Sequence, residues 1–223
     1  MKPLGKVKIE WSPDFAYAIG LIVSDGNLSP DGRHVIFTSK DEELVNKFQK
    51  SLQIKLHIGR KSRGGNIEKK YYVVQIGDVS FYKFLLGIGL MPKKSKIIRD
   101  VKVPDEYFFD FLRGSFDGDG SFFSYWDKRW HSSFMFYLSL LSASRVHVLW
   151  LREEIACRLH IHGHISISQK PQNAPVYILR YAKKEALRLL PELYYNNEVV
   201  CLSRKIDKIR QAITLDMREC RNW

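Results

Sequence analysis

A nine-residue pattern that occurs twice constrains this chain more than any other feature. The first copy is Ala18-Ile19-Gly20-Leu21-Ile22-Val23-Ser24-Asp25-Gly26, and the second is Leu112-Arg113-Gly114-Ser115-Phe116-Asp117-Gly118-Asp119-Gly120. They coincide at Gly20/Gly114, Asp25/Asp119 and Gly26/Gly120, an offset of 94 positions from 25 to 119. Both copies read as helices. Ser12-Pro13-Asp14 supplies an N-cap, a proline for the first turn and an acid beside it, and Pro104-Asp105-Glu106 is expected to do the same for the second copy. Gly26 and Gly120 are expected to stop the helices in the left-handed conformation. Gly20 and Ser24 lie one turn apart on one face, as do Gly114 and Gly118. Nothing bulky keeps two such faces apart, so each copy is expected to pack on the other.

That packing has an electrostatic consequence. Asp25 and Asp119 each end a helix, where the macrodipole disfavours a carboxylate by about 0.3–1 kcal/mol. Bringing the helices together also sets two like charges side by side. Selection for stability alone would place Lys or Arg there. A hard divalent cation held by the two carboxylates resolves the conflict, and magnesium commonly binds one or two carboxylates plus phosphate oxygens.

Both copies resemble the LAGLIDADG motif of homing endonucleases, the second closely from Phe111 to Gly120. The first departs at Ala18, Ile19, Val23 and Ser24 but keeps apolar or small character and the terminal acid Asp25. The resemblance is to the double-motif members, which fold as pseudo-symmetric monomers. It implies a metal-dependent endonuclease that cuts both strands of a duplex DNA target of roughly twenty base pairs, with Asp25 and Asp119 holding two or more Mg²⁺ ions, for which Mn²⁺ substitutes. Such enzymes usually carry a basic residue near the metal, and Lys40, Lys96 and Lys205 are the candidates here. The resemblance also leaves open an RNA maturase or a DNA-binding protein that does not cut.

Composition agrees with an anionic partner. Lysine and arginine number 36 against 24 acids, a net charge of +12, and the isoelectric point is near 9.6. Three cysteines, Cys157, Cys201 and Cys220, with no signal peptide recognised, fit a reduced intracellular compartment, in the cytoplasm or an organelle matrix. No apolar run reaches the roughly 18 residues of a membrane span. No intein splicing ends are recognised, so a free-standing intron-encoded enzyme is expected. No P-loop, Rossmann glycine loop or serine nucleophile elbow is present, and no small-molecule cofactor is expected. His160-Ile161-His162-Gly163-His164 lacks the spacing of a four-ligand zinc site and reads as surface or DNA-facing histidines.

Periodicity after each motif repeats the order helix, two strands, helix, two strands, helix. The expected fold is α+β, with two pseudo-symmetric αββαββα halves spanning residues 1–97 and 98–223. Each half carries an antiparallel sheet with one apolar and one polar face, and the halves join at the paired motif helices. In the first half Arg33 to Ser39, Ile54 to Arg63 and Lys69 to Gly77 alternate as strands. The polar positions expected to contact DNA are Arg33, His34, Lys55, His57, Lys61, Arg63, Tyr71 and Gln75. In the second half they are Tyr125, His164, Ser166, Ser168, Lys170 and Arg180.

Overall fold

Ser12 sets the start of the first motif helix. Its side chain accepts from the Phe15 amide at 3.1 Å, with Pro13 in the first turn. The computed structural model describes residues 5–62, 70–129, 133–168 and 174–219. In chain order, α1 (Pro13–Asp25) leads into β1 (Gly26–Leu28), β2 (His34–Ser39), α2 (Glu42–Ser51), β3 (Gly59–Lys61), β4 (Tyr71–Gly77) and α3 (Val79–Gly87). A connection with a 3-10 turn at Lys94–Lys96 leads on to α4 (Phe108–Asp119), β5 (Ser121–Trp126), β6 (Phe134–Ser142) and α5 (Arg145–Leu159). Next come β7 (His164–Ser168), β8 (Val176–Ala182), α6 (Lys183–Leu193) and α7 (Ser203–Glu219).

The two halves repeat one topology. Each builds a four-stranded antiparallel sheet, ordered β1-β2-β4-β3 in the first and β5-β6-β8-β7 in the second. The α+β class and the pairing of the halves at the motif helices are as the repeat predicts. Alternation puts Val35, Phe37, Val74 and Ile76 of the first sheet, and Phe136, Leu138, Leu179 and Tyr181 of the second, against the helices.

The motif helices meet backbone to backbone. A Cβ on Gly20 would lie 2.7 Å from the Ser115 amide nitrogen and 3.0 Å from the Gly114 Cα. One on Gly114 would lie 2.9 Å from the Tyr17 carbonyl carbon. Tyr17 OH donates to Asp117 Oδ2 at 2.8 Å, and Ser115 Oγ donates to the Gly20 carbonyl at 3.4 Å, both across the seam. Phe15 to Ile22, and Asp110 to Asp117, are buried without interruption, as helices covered on every side must be.

Three local expectations are corrected. Gly26 (φ −83°, ψ 153°) and Gly120 (φ −71°, ψ 162°) are extended, not left-handed, because each helix runs straight into a strand. Glycine is needed there for space: a Cβ on either would lie 2.6 Å from the carbonyl oxygen of Ile22 or Phe116. Pro104-Asp105-Glu106 does not cap α4, which follows a 3-10 turn at Asp105–Tyr107 and has no side-chain cap. Asp105 accepts from Arg158 Nη2 at 2.5 Å instead. Finally, the strand expected from Ile54 to Arg63 is confined to β3 among the described residues. Ile54, Leu56 and Ile58 do pack on the core while Lys55 and His57 are exposed. The alternation there is one of burial, without strand pairing before Gly59.

The connections that follow α3 and α6 each reach the central helix of the other sheet. After the Lys94–Lys96 turn, the Ile98 carbonyl accepts from Ser144 Oγ at 2.5 Å, and the Arg99 carbonyl binds His147 Nδ1 at 2.6 Å, at the start of α5. In the mirror arrangement, Cys201, Ser203 and Arg204 contact Lys47, Glu43 and Asp41 of α2, with Arg204 Nε to Asp41 Oδ2 at 3.0 Å. These crossings carry two lysines to the motif helices.

Candidate metal and nucleic-acid site

The seam ends where the acids are. Asp25 closes α1, half-buried, and a Cβ on Gly118 would lie 2.8 Å from its Oδ2, so its carboxylate rests on the turn that carries Asp119. Asp119 is exposed. Burial, and after it the charge of Asp119, push the Asp25 carboxyl up to about 7, against the opposing pull of Lys205 and Lys94.

The last turns of α1 and α4 contain no basic residue of their own. Basic residues arrive from elsewhere in the chain. Lys94, 5% exposed, donates from Nζ to the Gly26 carbonyl at 2.5 Å. Lys205, 7% exposed, donates to the carbonyls of Asp117 at 2.9 Å and Gly120 at 2.7 Å, and to that of Phe116. Each ammonium thus satisfies carbonyls at the negative end of a motif helix. Desolvation pulls both lysines down to about 8, although the nearby acids oppose it.

Of the three lysines proposed from the sequence, Lys205 lies beside the acids. Lys96 does not: it is exposed, and Lys94, two residues earlier in the same basic run, takes the buried position. Lys40 is exposed just after β2, with Nζ 5.4 Å from the Tyr71 ring centre, and is not among the cations acting on Asp25. Asp117 escaped notice as well. It is fully buried, accepts from Tyr17 OH and from the Leu202 amide at 2.6 Å, and so ties α1 and the start of α7 to α4. The signal was present, since Asp117 replaces the position held by Val23 in the first copy.

The donor set suits a hard cation only in part. Two carboxylates converge, and among the described residues no cluster of three or more His, Cys, Asp or Glu side chains forms. A site of one or two carboxylates is one that magnesium completes with water and phosphate oxygens. Lys205 and Lys94 pull against burial and the charge of Asp119 at Asp25 but do not offset them. His160 sits in the left-handed cap of α5 (φ 51°) and His162 in the loop after it, so only His164 of the three histidines is on a strand.

The expected DNA-contacting residues divide by register. In the first sheet His34, Lys61, Tyr71 and Gln75 lie on the face away from the helices. His34 is drawn into the turn before β2, its Nδ1 2.5 Å from Asp31 Oδ2. Arg33, Lys55 and His57 are exposed in connecting segments, a correction to their placement on strands. In the second sheet Tyr125, His164, Ser166, Ser168 and Arg180 share the open face. Arg63 and Lys170 lie outside the described residues.

This architecture defines the class: two antiparallel-sheet halves joined at paired Gly-bearing helices that end in acids make the LAGLIDADG fold. Residues 12–89 match the family model of the LAGLIDADG-like domain. Among solved structures, the LAGLIDADG homing endonuclease I-LtrWI bound to target DNA is similar at 12% identity and TM-score 0.58, over 93% of this chain and 91% of that one. The homing endonuclease I-DmoI, in a complex with DNA and Mn, is similar at 15% identity and TM-score 0.52, over 83% and 98%. Full-length DUF199/WhiA from Thermatoga maritima is similar at 16% identity and TM-score 0.54 over 93% of this chain; the chain spans 62% of that protein's length. No curated protein matches the sequence. The fold is thus shared with homing endonucleases and with WhiA alike.

Proposed function

We propose that this protein is a site-specific DNA endonuclease that hydrolyses phosphodiester bonds on both strands of a long duplex target. The observation that carries the reading is the convergence of Asp25 and Asp119 at the open end of the helix seam. Each acid would hold Mg²⁺ and serve chiefly one strand. Ions bound there supply Lewis-acid activation of water and neutralise charge on the phosphate and the leaving 3′ oxygen. Lys94 and Lys205 hold the ends of both motif helices and keep the acids in place. The open faces of the two sheets, with Lys61, Gln75, His164 and Arg180, flank the acids and suit a target of roughly twenty base pairs bound by a monomer. The halves 1–97 and 98–223 would each read one half-site, and the enzyme would act inside the cell on an intron-type target.

The decisive experiment is cleavage of a randomised duplex library in Mg²⁺, with the new ends captured by ligation and sequenced. Enriched cut sites with the parent, and none with Asp119→Asn, are expected. Ends no more frequent with the parent than with the mutant would overturn the reading. One observation favours a second reading, a nucleic-acid-binding protein or RNA maturase that does not cut: the chain's own Lys94 and Lys205 already act on Asp25 as cations. It predicts selection of a bound sequence from the library with no cut ends.

A further inference from the structure

The open faces of the two sheets differ in their aromatic content. On the first, cross-strand neighbours are Ile36 and Gln75, then Thr38 and Val73, with Tyr71 beside Lys61. On the second, Phe123 and Tyr125 of β5 stand beside Tyr137 of β6, and Phe123 and Tyr137 are direct partners. The Phe123 and Tyr125 rings lie 5.6 Å apart at 29°, and those of Tyr125 and Tyr137 6.1 Å apart at 14°. Phe123 is 58% exposed. Cations border the row: the Arg180 guanidinium is 5.5 Å from the Tyr137 ring centre, and Lys208 Nζ is 6.0 Å from that of Phe123.

An exposed phenylalanine makes no hydrogen bond to a base edge; in the major groove it touches at most a thymine methyl, and the base faces there are already stacked on one another. A row of near-parallel rings gains from base faces that are free. Stacking on protein aromatics tolerates any base, and flanking cations meet the phosphates of the strand. Aromatics on neighbouring strands of a four-stranded antiparallel sheet are also how other RNA-binding domains stack two or three bases.

We propose that the open face of the second sheet, through Phe123, Tyr125 and Tyr137, is a stacking platform for unpaired nucleobases. On that face the second half then takes the bases of a free single strand, or of a locally opened stretch within its half-site, beside the duplex that both sheets follow. The inference rests on the nucleic-acid-binding part of the reading above and not on cleavage.

Fluorescence anisotropy in EDTA tests it, with a labelled oligothymidylate of about twelve nucleotides and a mixed-sequence duplex of the same length. Phe123→Ala and Tyr137→Ala are expected to weaken oligothymidylate binding by about tenfold each and duplex binding by less than about twofold. Phe123→Trp restores the affinity, and Val146→Ala, on the exposed side of α5, leaves it unchanged. Equal loss on both probes, or no loss with either alanine variant, overturns the platform. So does binding of the oligothymidylate that 0.3 M salt abolishes for parent and variants alike, which is charge attraction only. Circular dichroism melting of each variant identifies misfolding, and Phe123→Ser then replaces any variant that melts early. Duplex cleavage in Mg²⁺ is scored separately, so loss of either reading leaves the other measurable.

Discussion

At the residue scale the proposed chemistry rests on Asp25 and Asp119. Asp25→Asn and Asp119→Asn keep side-chain shape and remove charge, so cleavage in Mg²⁺ is expected to fall by orders of magnitude while DNA binding in Ca²⁺ survives. Stability separates the two roles further. The Asp25 carboxyl is raised to about 7 in the fold, so the folded state holds its proton over a range where the unfolded chain has lost it. That proton costs the parent stability as pH rises from about 4 to about 7, and the cost then stays constant. Asn has no such titration. Asp25→Asn should therefore melt close to the parent at pH 4 and increasingly above it up to pH 7, in metal-free buffer. A melting difference that is flat across that range overturns the account. Cleavage by the parent should rise with pH over the upper part of the same window, because only the ionised carboxylate holds a cation.

At the scale of elements, the glycine seam and its lysine caps are the parts least able to change. Gly20→Ala or Gly114→Ala puts a methyl group against opposing backbone that has no flexible end to move, and should cost at least about 1–3 kcal/mol in urea denaturation. Lys205→Met leaves the carbonyls of Asp117 and Gly120 without their buried donor and should destabilise by a similar amount. Lys96→Met and Lys40→Met, on exposed side chains, should change stability by less than about 0.5 kcal/mol. The start of α5 adds an acid-sensitive joint. Burial lowers the His147 imidazole to about 4, so the stability it provides is complete above pH 6.5 and is lost as pH falls towards 4. His147→Gln should flatten the melting profile over that interval.

Over the whole molecule, charge governs association. A chain with a net charge of +12, bound to nucleic acid as proposed, should show steep salt dependence, about 0.9 in the log–log slope for each phosphate neutralised on duplex. A slope near zero between low and physiological salt would remove the nucleic-acid reading altogether. Replacing Lys61 should lower the slope by about one and weaken all sequences alike if it meets phosphate. If it reads a base, the loss should be confined to sites carrying that base. Among the described residues no helix is long and apolar enough to cross a membrane.

The motif spacing by itself determined the two-half plan, the helix seam and the meeting of Asp25 and Asp119 at its end, because Gly at one-turn spacing and an acid before the final glycine are local constraints written in consecutive residues. Strand alternation likewise assigned the open faces of β4, β7 and β8 before any pairing was known. The cations at the acids were decided only by tertiary structure. Lys94 and Lys96 are equivalent in a basic run, and only the path of the connection from α3 to α4 turns one inward and the other to solvent. Lys205 reaches Gly120 across 85 residues of chain. Asp117 reads as one more acid in a motif until Tyr17 and Leu202 are seen to converge on it. The extended backbone at Gly26 and Gly120 follows from strands that begin at once, and the row of Phe123, Tyr125 and Tyr137 from a register between β5 and β6. Each of these depends on groups brought together from distant parts of the chain, and local periodicity carries no record of such distances.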